Sequence, residues 1–146
     1  MSLVRTLIRT RFLLTSREAA TRLIKEELRK TLALCERLGP ERCLERTRVP
    51  KMIGVDEDMR EWNVYEILEH NRIVNKRITA QVAHAAGDGP PPDPNFDVKR
   101  DVMPSPETGP DSVESFDRSV ADHLALVETL PVLRKTPEAM HPIFGS

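Results

Sequence analysis

The chain has 146 residues, 39% of them hydrophobic and 31% charged, with 22 Lys+Arg against 23 Asp+Glu. That length and balance fit one soluble globular domain over residues 1–146 and exclude a wholly disordered chain. A net charge of −1 excludes a generally basic nucleic-acid binder. No apolar run approaches the ~20 residues that span a membrane. Aromatics are only 4%, so Leu, Ile, Val and Ala must fill the core.

The charge is unevenly spread: residues 1–55 carry 13 Lys/Arg and 6 Asp/Glu, the remainder 9 and 17. No recognition motif accompanies the basic half, so two complementary surfaces of one fold explain the asymmetry best. Arg5, Arg9, Arg11 and Arg17, with no acid before Glu18, have the composition of a mitochondrial presequence or of the first turns of a structural helix. Cys35 and Cys43 match neither C-x-x-C nor a zinc-ribbon spacing and read as reduced thiols of a cytoplasmic protein, a disulfide being the alternative.

In chain order, Leu3, Val4, Leu7, Ile8, Phe12, Ala19, Ala20, Leu23, Ile24 and Leu28 recur at helical spacing. Thr15-Ser16-Arg17-Glu18 has the form of a capping box that starts a helix afresh at Thr15 or lies inside one long helix. Gly39-Pro40 predicts its stop. Residues 40–61, with Pro50 and Gly54, read as a connection holding at most a short helical turn. A second helix begins near Trp62, its stripe being Val64, Ile67, Leu68, Asn71, Val74, Ile78, Val82 and Ala85. Gly87 and Gly89 end it. Seven of the twelve prolines fall in residues 90–110, which excludes a helix or central strand there and suggests a crossover, or a segment draped over a site. Asp111 and Glu114 mark the start of a third helix with Val113, Phe116, Val120, His123, Leu124, Val127 and Leu130 on one face, and Pro131 stops it. No internal repeat, heptad array or strand pair stands out. Three such helices predict an all-α antiparallel, up-down bundle.

The segment Trp62-Asn63-Val64-Tyr65-Glu66-Ile67-Leu68-Glu69-His70 resembles the W-S-x-x-E-x-L-x-H start of the second helix of DinB-like (DinB/YfiT) proteins. Arg11-Phe12-Leu13-Leu14 with Ala19-Ala20, Val49-Pro50 with Gly54, Val98-Lys99, and His141-Pro142-Ile143-Phe144-Gly145 resemble other pieces of that family in the same order. The resemblance implies a four-helix bundle with a long second-to-third crossover. It also implies a divalent metal (Zn, Ni or Fe) held by three histidines, a hydrolase or thiol-transferase type of activity, and a homodimer. Only His70 falls on a ligand position. The H-x-x-x-H of the fourth helix is absent, because the sequence stops one residue after the H-P-x-F-G turn. The expectation is therefore a bundle lacking its fourth helix, with an incomplete metal site.

Four histidines are present: His70, His84, His123 and His141. His70 lies about 90° from its stripe's centre and reads as a half-buried polar residue or a metal ligand. His123, inside the third stripe, is a hydrogen-bonded core histidine or a second ligand facing His70. Asn71, central in its stripe, is expected to bond His123 or a backbone group, or to point at a site. His141 is expected at a helix entrance and His84 in solvent. No G-x-S-x-G, P-loop, G-x-G-x-x-G or H-E-x-x-H occurs. Two functions remain open: a DinB-like metal-dependent enzyme centred on His70, and a non-catalytic helical module whose apolar groove binds a partner helix or a second copy.

Overall fold

A computed structural model describes residues 10–11, 14–52 and 55–130. Among them there are three long α-helices and no strand: α1 (Arg17–Leu44), α2 (Val64–Ala85) and α3 (Asp111–Thr129), with a 3-10 turn at Asp58–Glu61. None is long and apolar enough to cross a membrane. Leu3 to Ile8, Phe12, Leu13, Gly54, Pro131 and the H-P-x-F-G turn lie outside the described residues.

α1 starts afresh, but its cap is Ser16 rather than Thr15: the Ser16 hydroxyl accepts from the Ala19 N–H at 3.2 Å, while the Thr15 hydroxyl donates to the Arg11 carbonyl. The stop predicted at Gly39-Pro40 is instead a kink. Gly39 takes φ +73°, and Pro40 begins a further turn that runs to Leu44. Proline suits that position because the first turn of a helix needs no N–H donor. The kink folds Cys43 back over the helix, its thiol 3.8 Å from the Cys35 carbonyl. Both cysteines are free and buried. Burial pushes the Cys35 thiol up, with the Cys43 thiol adding to the effect.

α2 begins at a complete capping box. The Asn63 side chain accepts from the Glu66 N–H, and the Glu66 carboxylate accepts from the Asn63 N–H, both at 2.9 Å. It ends in a Schellman arrangement, the Gly87 N–H reaching the His84 carbonyl and the Asp88 N–H the Ala83 carbonyl, each at 2.9 Å. Gly87 takes φ +84°, which L side chains disfavour. α3 has Pro110 at its cap position with no side-chain bond, so Asp111 is its first helical residue rather than its cap.

α1 runs antiparallel to its neighbours: the Arg17 guanidinium donates to the Val127 and Leu130 carbonyls at the far end of α3. α2 and α3, by contrast, are parallel. Asn75 pairs with Ser119 and Thr79 with His123, a constant offset of 44 positions. The all-antiparallel expectation is thus corrected. Two parallel neighbours need a connection that travels the length of a helix, and the proline-rich residues 86–110 supply it.

The core gathers where the end of α1 meets the starts of α2 and α3. Cys35, Cys43, Tyr65 and Leu68 are buried together, with Leu38, Val64, Val113 and Phe116 against them. α2 and α3 share the most extensive contact, and α1 touches both more sparingly.

Candidate functional site

The start of α2 is held by a dense set of hydrogen bonds. Glu66, buried, holds the capping box with one oxygen and accepts from Arg46 Nη2 at 2.5 Å with the other. Arg46 also donates to the Glu61 carbonyl. Arg60 returns to the linker, its Nε donating to the Val49 carbonyl while the Val49 N–H reaches the Arg60 carbonyl, both at 2.9 Å. Tyr65 enters the cysteine cluster, where burial raises its hydroxyl above the usual range. Trp62 is buried with its ring 5.1 Å from that of His70.

His70 Nδ1 lies 2.8 Å from the Val102 carbonyl. A carbonyl can only accept, so Nδ1 carries a proton, which in the neutral ring leaves the lone pair on Nε2. His70 therefore ties the crossover to α2. Arg77 ties it again, its guanidinium 3.7 Å over the Phe96 ring. Within the crossover, the Arg100 guanidinium beside Asp101, helped by the Asp97 N–H, holds the Asp101 carboxyl down to about 2.

A polar seam follows along α2 and α3. Asn75 Nδ2 donates to the Ser119 carbonyl at 2.7 Å, and the Ser119 hydroxyl donates to the Phe116 carbonyl at 2.7 Å. The Thr79 hydroxyl donates to the Asn75 carbonyl at 2.7 Å, so it accepts from His123 Nδ1–H at 2.9 Å. Burial lowers the pKa of His123.

This geometry separates the two histidines read as possible co-ligands. His123 meets α2 at Thr79, nine positions past His70 and so about 13 Å further along the axis. Among the described residues, no three His, Cys, Asp or Glu side chains gather closely enough to hold a metal ion. His141 lies outside the described residues, and His84 is exposed with Nδ1 3.2 Å from the Gly89 carbonyl.

Asn71 is not central to the buried face. It is exposed, and no hydrogen bond from its side chain is present among the described residues. The face that packs on α3 is carried by Leu68, Asn75 and Thr79, about 90° around the helix from the row Ile67, Asn71, Val74 and Ile78. Ile67 is 42% and Ile78 39% exposed. On α1, Leu34 and Leu23 are 40% and 47% exposed and share the same eleven-residue spacing. Cys35 meets Leu68 in the core, and α1 is antiparallel to α2. Leu34 therefore lies level with Ile67, and Leu23 with Ile78. By helical periodicity, all four flank the α1–α2 contact on its side away from α3. They border a groove about 16 Å long with apolar residues on both walls.

Two other clefts are open. Leu28, Leu32 and Ala33 on α1 line one of about 450 Å³ between Lys25, Arg29 and Glu36. Glu69, Arg72, Ser105, Glu107, Asp111 and Ser112 border one of about 580 Å³, but Arg72 is already held by Glu69 at 2.6 and 2.7 Å.

Sequence reasoning missed Asn75, Thr79 and Ser119. Part of the signal was available: Asn75/Thr79 and Ser119/His123 are both i, i+4 polar pairs that can meet rung by rung across two helices, but the spacing does not choose between a parallel and an antiparallel pairing. No known protein family, no curated protein and no solved structure matches this chain.

Proposed function

We propose that this protein is a non-catalytic helical interaction module whose α1–α2 groove receives a partner helix. The observation that carries this reading is the inversion of α2. Its polar residues Asn75 and Thr79 are turned inward and bonded, while Ile67 and Ile78 are turned outward. Exposed apolar rows facing one another across two helices have the geometry of helix-in-groove recognition. The capping box, the kinked cysteine cluster and the two ties to the crossover hold the walls in place, which limits the ordering cost of binding.

An apolar dye tests this. Dilute wild-type chain should bind anilinonaphthalene sulfonate, and an Ile67→Asp/Ile78→Asp variant with unchanged helical circular dichroism should lose most of that binding. A dilute chain that takes up no dye would overturn the reading.

A second reading is the DinB-like, metal-dependent hydrolase or thiol transferase. One observation favours it: the Val102 carbonyl fixes the His70 proton on Nδ1, the orientation in which an imidazole offers Nε2 to a metal. The described residues do not complete such a site, because His123 is too far along the bundle. Metal content compared between wild type and a folded His70→Ala variant decides it: equal content removes His70 as a ligand.

A further inference from the structure

We propose that Cys35 and Cys43 are a reversible redox pair: a peroxide oxidises Cys35, and Cys43 then closes on it as an intramolecular disulfide that fastens the bend in α1. The pair sits in the core, so its chemistry is independent of what the groove receives.

In an unbroken helix, residues eight apart lie about 12 Å from one another along the axis, too far for a disulfide. Here Gly39 interrupts α1 at φ +73° and ψ 167°, a backbone region open almost to glycine alone. Pro40 then starts the turn that carries Cys43 back, and the Cys43 thiol donates to the Cys35 carbonyl at 3.8 Å. The two thiols also interact with each other, side chain to side chain. The chain has two cysteines, and the bend makes them neighbours. From α2, the Tyr65 hydroxyl interacts with the Cys43 thiol. Leu38, Val64, Val113 and Phe116 complete an apolar surround.

That surround decides the chemistry. It disfavours a charged thiolate, so the Cys35 thiol stays protonated, whereas a disulfide carries no charge and needs no hydrogen-bond partner. The pair is therefore slow to react and stable once closed. Cys35 is 8% and Cys43 1% exposed, so a water-sized oxidant meets Cys35 first. The Cys35 sulfur attacks one peroxide oxygen: an S–O bond forms, the O–O bond breaks, and the hydroxide released takes the thiol proton and leaves as water. The Cys43 sulfur then attacks the Cys35 sulfur: the S–S bond forms, the S–O bond breaks, and the Cys43 proton leaves with that hydroxide as a second water. The two thiols together lose two electrons and two protons, and hydrogen peroxide is reduced to two waters. The closed bond spans the nine residues from Cys35 to Cys43, so the turn that ends at Leu44 can no longer swing away from the rest of α1. A thiol reductant reopens it by exchange.

Hydrogen peroxide added to the folded chain, read by intact mass and tryptic peptides, tests this. Wild type should lose two hydrogens per chain, and residues 31–37 and 43–46 should appear as one linked peptide that dithiothreitol separates. The oxidised chain should melt about 5 °C or more above the reduced one. Cys43→Ser should instead carry added oxygen on Cys35, and Cys35→Ser should react at least tenfold more slowly. A measurement on wild type alone covers the case in which a buried substitution unfolds the chain: in a glutathione redox buffer, the equilibrium constant for closing the pair should be at least tenfold larger in the native chain than in urea. Any of four outcomes overturns the proposal: native chain that keeps both thiols under peroxide while urea-unfolded chain oxidises; disulfides between chains rather than within them; a closing constant no larger than in urea, with an oxidised chain that melts no higher than the reduced one; or a folded Cys35→Ser chain that oxidises as fast as Cys43→Ser.

Discussion

The two sides of α2 reverse the usual arrangement. Towards α3, the helix half-buries Asn75 and Thr79, and each is bonded: the Asn75 amide nitrogen to Ser119, the Thr79 hydroxyl to the Asn75 carbonyl and His123. Towards the α1–α2 groove, it leaves Ile67 and Ile78 about two-fifths exposed. The difference teaches that apolar period alone does not decide which face is buried. A polar side chain is accepted in a seam when it meets a hydrogen-bonding partner there, and an apolar one stays outside when no described helix covers it.

Neighbouring substitutions test that contrast most sharply. Leu68→Ala, in the core, should cost about 3 kcal/mol of stability, whereas Ile67→Ala, one position away, should cost under about 1 kcal/mol in dilute monomer. Urea denaturation of both variants below the association range checks this. Equal costs would mean that the two sides are not different.

Breaking the seam comes next. Asn75→Ala should lose about 1–2 kcal/mol, and Thr79→Val a similar amount, because each strands a partly buried partner. The two effects should be close to additive in a double-mutant cycle, since the Thr79 hydroxyl bonds the main-chain carbonyl of residue 75, which alanine keeps, and the two side chains bond different residues of α3.

The seam should also respond to acid. Burial lowers the pKa of His123 in the folded chain below its ordinary 6.5. Between those two values the unfolded chain binds the proton first, so stability is full above about 6.5 and falls as pH drops through that range. Melting temperatures from pH 8 to pH 5 should show this slope in wild type and a flatter one in His123→Gln. An unchanged slope would place the titration elsewhere.

The smallest effect is expected at the crossover. His70→Ala removes one hydrogen bond and a ring contact, together about 1 kcal/mol, and should speed proteolysis within residues 90–105 while leaving α2 and α3 intact. Cleavage at the wild-type rate would show that Arg77 and Phe96 hold the loop alone.

Much of the fold was legible in the residues. The segment Trp62 to His70 predicts a helix start, and two of its polar members prove to have local partners: Asn63 with Glu66, and Glu69 with Arg72. Such contacts are short-range or are fixed by cap chemistry, so sequence can reveal them. The candidate site was less legible. The row through Ile67, Asn71, Val74 and Ile78 was readable as one helical stripe, but not its exposure. The bonds of His123 required knowing that Thr79, 44 positions earlier, would arrive beside it.

The sequence by itself determined three helices, the glycine end of the second, and a proline-rich connection too long for a tight turn. These follow from backbone sterics and from periodicity within a few turns. Only the tertiary structure decided that α2 and α3 run parallel, that Gly39 bends α1 enough to bring Cys43 onto Cys35, and which face of α2 is covered. Those outcomes depend on pairings between residues far apart in the chain, where two faces of one helix compete for one neighbour and hydrogen-bond satisfaction outweighs hydrophobicity.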